Sequence, residues 1–292
     1  MKHIWEHLRV ILIECQHGFV PGKSCTAQLI DVLDKIGRLL DRGEQIDVIY
    51  LDMSKAFDRV NHKILIEKLR HLGLTNLVRW FKSYLYRRRQ QVTVLGATSP
   101  TLPVTSGVPQ GSILGSVLFL LYVLNDLPDK FSSSKIAAFA VDTKIIKRIS
   151  SIPDNIHLQE DLNSLVQWSS STDLTFNPIK CKVQTISRKR KPIKTSYTMD
   201  DSDLEHCSHE KDLEVWISSD LTWKKQVQTQ SAKANKILGY AKRTTQRIGS
   251  VRTRRTIYLT VVRAHLAYSS QVWAPQTVEL IKEIERIQRR AN

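Results

Sequence analysis

Apolar residues recur along this chain with two different spacings, which predict alternating helices and strands. In TAQLIDVLDKIGRLLDRG (26–43), apolar residues three and four apart predict an amphipathic helix that ends at Gly43. The continuous apolar run IDVIYLD (46–52) predicts a buried strand that ends on an acid. A helix capped by Asn61, a second helix over LVRWFKSYL and a strand over RRRQQVTVLG follow.

The second half of the chain continues this mixture. The apolar stretch ILGSVLFLLYVL (113–124) predicts a buried helix, because it is shorter than the roughly 18 residues that a transmembrane helix needs. The segment KIAAFAVDTKIIKRI (135–149) predicts a hairpin whose bend carries one carboxylate, Asp142. DLEVWISSDL (212–221) predicts one more strand, and the rest is helical. Runs of strands separated by helices favour an α+β fold, with an antiparallel sheet and helices packed on one face.

The charge of the chain indicates a polyanionic partner. The formal net charge is +16, and residues 221–292 carry fifteen Lys or Arg against three acids. An ordinary solvated helical surface would interleave both signs, whereas this segment has a long stretch without any acid. We therefore expect nucleic acid, rather than a membrane surface, to bind there.

The cysteines are too few and too irregular for a disulfide framework. They lie at Cys15, Cys25, Cys181 and Cys207. An intracellular, reducing compartment is the expectation, with nucleus and cytoplasm both open. The group His206, Cys207 and His209 invites a zinc interpretation, but no second ligand pair stands at a zinc-finger spacing, so we interpret it as a polar loop.

Two acids are placed where a metal ion could bind. Asp52 ends a predicted strand and Asp142 lies at a predicted hairpin tip. Carboxylate oxygens suit Mg²⁺, but two-metal phosphoryl transfer needs enough carboxylates to hold two ions about 3.5–4 Å apart. Two acids are one short of that requirement. From either residue alone, a strand-end cap or a turn residue is the simpler explanation.

The order of several motifs identifies a family. LDMSKAFDRVNH, SGVPQGSILGSVLFLLYVLNDLP, FAVD, FNPIKC and DLEVWISSDLTW follow one another at spacings that resemble the reverse transcriptases of non-LTR retrotransposons, the jockey-like long interspersed elements. QHGFVPGKSC before them and HLAYSSQVWAP and IERIQRRA after them extend the resemblance from about residue 14 to the end. An unrelated Mg²⁺ phosphatase built on LDMSKAFD is a poorer explanation, because it leaves GVPQGS and FNPIKC unexplained.

The resemblance implies a right-hand polymerase with fingers, palm and thumb. Residues 1–45 would be part of the fingers, residues 46–219 the palm with inserted fingers elements, and residues 220–292 a helical, basic thumb. The implied activity is RNA-directed DNA polymerisation with Mg²⁺ and dNTPs. The implied partners are an RNA template and an RNA–DNA duplex, without a membrane.

The resemblance also implies roles for single residues. Asp52 and Asp142 would be catalytic carboxylates that bind metal, and Lys180 would lie near the nucleotide phosphates. Phe57, Gln110 and Gly111 would contact the incoming nucleotide and the template, Phe57 as an aromatic gate beneath the sugar. Phe57 also suits a plain core residue, and Lys180 a surface residue. The nucleic-acid contacts expected in the thumb are Lys224, Lys225, Lys233, Lys236, Lys242 and Arg243.

The chain departs from the family at the hairpin tip. The family has an aromatic residue, Ala, Asp and Asp, whereas this chain has Phe139, Ala140, Val141 and Asp142. Val141 offers no oxygen where a metal ligand is expected, so the two-metal site should be incomplete and the rate lowered on the order of 10³-fold or more. Glu214 replaces a family glycine.

Two functions remain open from the sequence. The first is an RNA-directed DNA polymerase with impaired activity; the second is a catalytically dead protein that binds nucleic acid, either co-opted or decaying. Compared with a full element, the chain lacks the endonuclease and the earliest fingers segment, so we expect a fragment.

Overall fold

The computed structural model describes residues 14–123, 127, 131, 133–246 and 250–291. The N-terminal residues 1–13 and most of the helix-ending NDLP motif therefore lie outside the described residues. The helices are α1 (Cys25–Asp41), α2 (His62–His71), α3 (Thr75–Leu85), α4 (Ile113–Val123), α5 (Ile152–Ser171), α6 (Lys224–Thr244), α7 (Val251–Ile257), a π-helix (Tyr258–Val262), α8 (Arg263–Ala267), α9 (Ser270–Trp273) and α10 (Val278–Ala291). The strands are β1 (Gln45–Leu51), β2 (Arg89–Gln90), β3 (Thr93–Val94), β4 (Ala97–Thr98), β5 (Leu102–Pro103), β6 (Lys135–Phe139), β7 (Asp142–Ile149), β8 (Lys182–Ile186), β9 (Thr198–Met199), β10 (Ser202–Asp203), β11 (Glu205–His206), β12 (His209–Asp212) and β13 (Val215–Ser218).

A five-stranded sheet lies at the centre, with the order β11-β8-β1-β7-β6. β1 pairs antiparallel with both β7 and β8, and β6 pairs antiparallel with β7, which confirms the predicted hairpin. The short β11 pairs parallel with β8. Since β1 is the middle strand, the residue that follows it emerges in the middle of one sheet edge, next to the β6–β7 turn.

Helices cover both faces of this sheet, so the prediction that they pack on one face is wrong. On one face Ile49 and Ile145 belong to the main apolar cluster, which includes residues of α2 to α5. On the other face Ile46 and Val48 contact apolar residues of α1. The reason is visible in β1 itself, because a strand that is apolar on successive residues must be buried on both sides.

Two predicted strands are interrupted by turns. In DLEVWISSDL, Leu213 and Glu214 have φ values of 46° and 68° and form the turn between β12 and β13. In RRRQQVTVLG, Leu95 and Gly96 form the turn between β3 and β4, and their φ values are also positive. Neither segment is a single strand, because a two-residue turn between paired residues reverses the chain.

The C-terminal quarter is helical, as predicted. α6 packs against the π-helix, α8 and α10, with Ala234, Leu238, Val262 and Ile287 buried between them. The apolar helix α4 is buried in the main cluster. Among the described residues, no helix has the length and apolar character needed to cross a membrane.

Candidate functional site

A cavity of about 450 Å³ lies at the sheet edge where β1 ends and β7 begins. It brings together the three predicted catalytic residues, Asp52, Asp142 and Lys180. Its other charged lining residues are Lys144, Glu210, Lys211, Asp212 and Glu214. Phe57, Gln110 and Gly111 are not among the lining residues. The structure thus assembles the predicted acids and lysine in one place, with the predicted nucleotide contacts outside the cavity wall.

Asp52 and Lys180 form an ion pair across the cavity wall. Their Oδ2 and Nζ atoms are 3.6 Å apart, and both side chains are partly exposed. The backbone fixes this arrangement, because the N–H of Asn177 donates to the carbonyl of Asp52 at 2.9 Å and the N–H of Lys180 donates to Asn177. The short FNPIKC turn therefore places the ammonium group of Lys180 next to Asp52, the first predicted metal ligand.

The tip of the β6–β7 hairpin is a two-residue turn made by Ala140 and Val141. Phe139 pairs with Asp142 across it, and Ala140 has a φ of 59°. The side chain of Asp142 lines the cavity, whereas Val141 is half-buried and packs against the main apolar cluster. The residue that replaces the expected ligand thus contributes to the core.

The turn is held by the segment before α1. The buried side chain of Gln16 accepts hydrogen bonds through Oε1 from the N–H groups of Gly18 and Ala140, both at 3.1 Å. A Cβ atom on Gly18 would lie 2.3 Å from the backbone nitrogen of Ala140. The QHGF motif therefore positions the hairpin tip, and only glycine permits this approach.

Gly18→Ala is expected to lower the free energy of unfolding by about 1–3 kcal/mol, because the added methyl group overlaps the backbone of the tip. Gly37→Ala is the matched control, since a Cβ there, within α1, meets nothing within 4 Å. That variant should gain about 1 kcal/mol from helix propensity. Urea denaturation measures the change in the free energy of unfolding of each variant. Equal changes in Gly18→Ala and Gly37→Ala would contradict the close packing at Gly18.

The carboxyl group of Asp142 lies among other negative charges. Desolvation in the cavity wall raises the pKa of Asp142, the charges of Asp212 and Asp52 raise it further, and the ammonium of Lys144 lowers it. These neighbours therefore disfavour the ionised form of Asp142 beside the charge of Asp52. An additional cation would relieve this repulsion.

Lys144 and Asp212 form a buried ion pair that sequence reasoning missed. Lys144 Nζ donates a hydrogen bond to Asp212 Oδ2, and the two side chains are 3% and 7% exposed. The pair joins β7 to β12 and so fixes the β12–β13 hairpin against the strand that carries Asp142. The one available signal is a lysine inside the apolar strand DTKIIKRI, since a buried lysine needs a partner.

Glu214 occupies a left-handed turn position at the mouth of the same cavity. Its carboxylate pairs with Lys211 at 2.7 Å. The hydrogen bond from Lys211 is the leading reason that the pKa of Glu214 is lowered, and the charge of Lys233 on α6 contributes to it. The predicted thumb helix therefore lies close enough to influence the cavity.

Phe57 is the centre of three aromatic rings. Its ring stacks on Phe119 with centroids 4.4 Å apart and meets Phe19 edge-on at 6.1 Å. This packing accounts for Phe57 as a core residue, and its role as a gate stays a prediction. Gln110 and Gly111 are both exposed in the loop before α4, where they are free to meet a ligand.

Ser112 and Gly107 hold that loop in place. Ser112 Oγ accepts from the N–H of Gly115 at 2.9 Å and so caps α4. Gly107 has a φ of 86°, and a Cβ there would lie 2.8 Å from the carbonyl of Asp58. His62 Nε2 is hydrogen-bonded to the carbonyl of Gly107 at 2.8 Å. The PQGS loop is thereby fixed against the loop that follows Asp52.

The donor groups of the cavity do not fit a two-metal centre. Within the residues that the structure describes, no group of three or more His, Cys, Asp or Glu side chains is placed to hold a metal ion. Asp52 is paired with Lys180, Asp212 with Lys144, and Val141 has no donor atom. Asp52 and Asp142 alone are too few to bridge two ions.

The predicted nucleic-acid contacts all lie on α6 and are exposed. Lys225 Nζ lies 5.3 Å from the centroid of the Trp216 ring, and Lys242 Nζ donates to the carbonyl of Arg290. The other four are Lys224, Lys233, Lys236 and Arg243. No carboxylate of the described residues lies within 4.0 Å of those four. Their charges are available to an external anion.

Comparison with known proteins gives a family match. A family model described as "Reverse transcriptase (RNA-dependent DNA polymerase)" matches residues 1–241. The "Probable RNA-directed DNA polymerase from transposon BS" of Drosophila melanogaster is 26% identical, over 100% of this chain and 34% of that protein. The "RNA-directed DNA polymerase from mobile element jockey" of the same species is 31% identical, over 60% of this chain and 20% of that protein. The chain thus spans about a third or less of these relatives' length.

Solved telomerase structures share the fold. Apo telomerase from Candida tropicalis, truncated from its C-terminal domain, superposes with a TM-score of 0.54 at 13% identity, over 76% of this chain and 44% of that one. Telomerase from the same species with a TWJ fragment of telomeric RNA gives 0.52 at 10% identity, over 98% and 49%. This confirms the α+β class predicted from the pattern of strands and helices and the right-hand polymerase fold implied by the family resemblance.

Proposed function

The chain belongs to the reverse transcriptase family, and we propose that it is the RNA-directed DNA polymerase domain of a non-LTR retrotransposon whose nucleotidyl transfer is impaired by its own cavity residues. On this proposal residues 1–45 belong to the fingers, residues 46–219 to the palm and residues 220–292 to the thumb. The proposed binding partners are an RNA template and an RNA–DNA duplex. The dNTPs would be the substrates of any polymerase activity that remains.

The observation that carries this proposal is the donor set of the cavity. Reverse transcriptases as a family depend on divalent metal ions, and two-metal chemistry needs carboxylates that bridge both ions. Of the predicted metal ligands, Mg²⁺ would have only Asp52 and Asp142 here, and the ion pair with Lys180 already competes for Asp52. Val141 supplies apolar contact in place of the third carboxylate. These features favour a folded domain with little catalytic activity.

The remaining site residues suit the handling of a nucleotide and its template. Lys180 would neutralise phosphate charge, because its side chain is two-thirds exposed and lines the cavity. Gln110 and Gly111 would lie against the nascent base pair, where the exposed loop lets backbone approach closely. Phe57, fixed by Phe119, would lie beneath the sugar.

The second candidate function, binding nucleic acid without catalysis, is favoured by the exposed basic side chains of α6. Lysine and arginine contacts to phosphates give affinity that is largely independent of sequence and falls with salt. Lys233 lies close enough to Glu214 for its charge to lower the pKa of that residue. A duplex held by α6 would therefore run towards the cavity.

The test uses the whole chain and an RNA–DNA duplex with a recessed primer. We expect binding that weakens with rising salt, and no primer extension in Mg²⁺ above a protein-free control. The double variant Lys233→Gln/Lys236→Gln should lower the salt slope by about 2, since each phosphate contact contributes about one unit. Fluorescence anisotropy measures duplex binding, and gel electrophoresis of the primer measures its extension.

Lys82→Gln is the control, because Lys82 is exposed on α3, away from the basic thumb helix. It should leave duplex affinity within about twofold, since only a long-range charge is removed. If the chain does not bind duplex even at low salt, the proposed nucleic-acid-binding function is wrong. Robust extension by the unaltered chain would show that the cavity is not impaired.

A further inference from the structure

A second cavity of about 510 Å³ lies between the π-helix region and α10. Its lining includes Val251, Arg254, Arg255, Tyr258, Leu259 and Arg263. All of them lie beyond residues 1–241, which the family model matches, and none of them lines the cavity that contains Asp52. The lining combines arginine, one aromatic ring and aliphatic side chains, and it includes no acid.

Two of these arginines are available to a ligand. Arg255 and Arg263 are exposed, and in the described part of the chain no carboxylate lies within 4.0 Å of either guanidinium. They come from α7 and α8, on either side of the π-helix. Two arginine side chains that line one concave surface without acidic partners create a strong local positive potential. An anion is the ligand that this potential selects.

Tyr258 gives the pocket a fixed aromatic wall. Its ring is half-buried and packs against the apolar cluster under the π-helix. Its phenol oxygen makes no hydrogen bond to any described residue. The π-helix begins at Tyr258, and such wide turns occur frequently at functional sites. The ring is therefore positioned by the fold, while its hydroxyl group remains free to bind.

The combination of groups selects a nucleotide among anions. A guanidinium binds a phosphate through two parallel hydrogen bonds. An aromatic ring beside a basic groove offers a stacking surface for a base, and this is the usual arrangement in proteins that bind single strands. Leu259 and Val251 provide further apolar surface for a base that has left its stack. A duplex presents a convex surface with its bases enclosed, so it cannot fill such a pocket.

We propose that this pocket, lined by Arg255, Arg263 and Tyr258, binds a single-stranded segment of nucleic acid, through its phosphates and one stacked base. The proposal rests on the proposed function, since it assigns a second nucleic-acid site to a chain that handles RNA and DNA. The pocket would hold an unpaired strand while α6 contacts the duplex.

The first test measures binding of a fluorescent 12-nucleotide RNA to the whole chain. The double variant Arg255→Gln/Arg263→Gln should weaken binding on the order of a hundredfold, since each charge-assisted contact is worth about tenfold. It should also reduce the salt slope by about 1.4, since each contact to a single strand contributes about 0.7. Arg252→Gln is the matched control on the same helix, exposed and outside the lining. Equal losses in the control and the double variant would overturn the proposal.

The second test concerns the ring. Tyr258→Leu should weaken binding about tenfold because a stacked base is lost, whereas Tyr258→Phe should bind within about threefold of the unaltered chain. Thermal unfolding of both variants identifies any loss that comes from packing. If Tyr258→Leu stays folded and binds like Tyr258→Phe, the ring does not stack and the proposal falls.

The third test separates this proposal from the proposed function. Binding of the labelled strand is repeated with saturating blunt RNA–DNA duplex, and a DNA strand of the same sequence replaces the RNA. We expect the single strand to stay bound, and RNA and DNA both to bind, because the pocket recognises features that they share. If duplex binds but displaces the strand, or if a polyglutamate peptide competes as well as RNA, this proposal is wrong and the proposed function stands. If no nucleic acid binds, both are wrong.

Discussion

Lys144→Met is expected to lower the free energy of unfolding by about 3–5 kcal/mol, because it leaves the carboxylate of Asp212 buried without its partner. The two side chains are almost completely inaccessible, so water cannot replace the lost ammonium. The loss should also loosen the β12–β13 hairpin from β7, since this ion pair joins the two elements. Urea denaturation with linear extrapolation measures the change.

Two further variants show whether burial is the cause. Lys35→Met removes an ion pair with Asp31 on α1 whose side chains are about half exposed, and such pairs contribute about 0–1 kcal/mol. Lys144→Met/Asp212→Leu removes both buried charges and should recover most of the loss. If Lys35→Met cost as much as Lys144→Met, or if the double variant recovered nothing, the buried pair would not have the assigned role.

Much of the fold could be predicted from local periodicity. The helix from Cys25, the strand up to Leu51 and the hairpin around Asp142 all follow from apolar spacing and turn chemistry. The covering of the second sheet face was also signalled, because β1 is apolar on successive residues, but apolar spacing does not say that α1 supplies the cover. The turn at Leu213 and Glu214 was hidden for a different reason, since neither residue is the Gly or Asn that normally marks positive φ.

The candidate site followed from the sequence only through the family motifs. Asp52, Asp142 and Lys180 are far apart in the chain and meet in one cavity. Spacing alone gives no reason for that meeting. The pairing of Lys144 with Asp212 spans 68 positions and lies outside any motif. Long-range pairs of this kind can be recognised only when both partners are placed in space.

Val141→Asp is expected to raise the rate of RNA-templated primer extension on the order of 10³-fold, because it gives the hairpin tip a second carboxylate and the site, with Asp52, a third. An aspartate there loses contact with the apolar cluster and adds a negative charge beside Asp142, whose pKa is already raised by its neighbours. The variant should therefore be less stable without metal and should gain stability with Mg²⁺ or Mn²⁺, since binding favours the folded state. Thermal unfolding with and without each ion measures this shift.

The central claim is that the missing carboxylate at position 141 limits catalysis, and single-turnover primer extension tests it most directly. The unaltered chain, Val141→Asp and the neutral control Val141→Asn are compared in Mg²⁺ on one RNA template with one DNA primer. We predict extension by Val141→Asp alone, with the other two near background. Extension by the unaltered chain at the rate of Val141→Asp, or no extension by a folded, duplex-bound Val141→Asp, would contradict the claim.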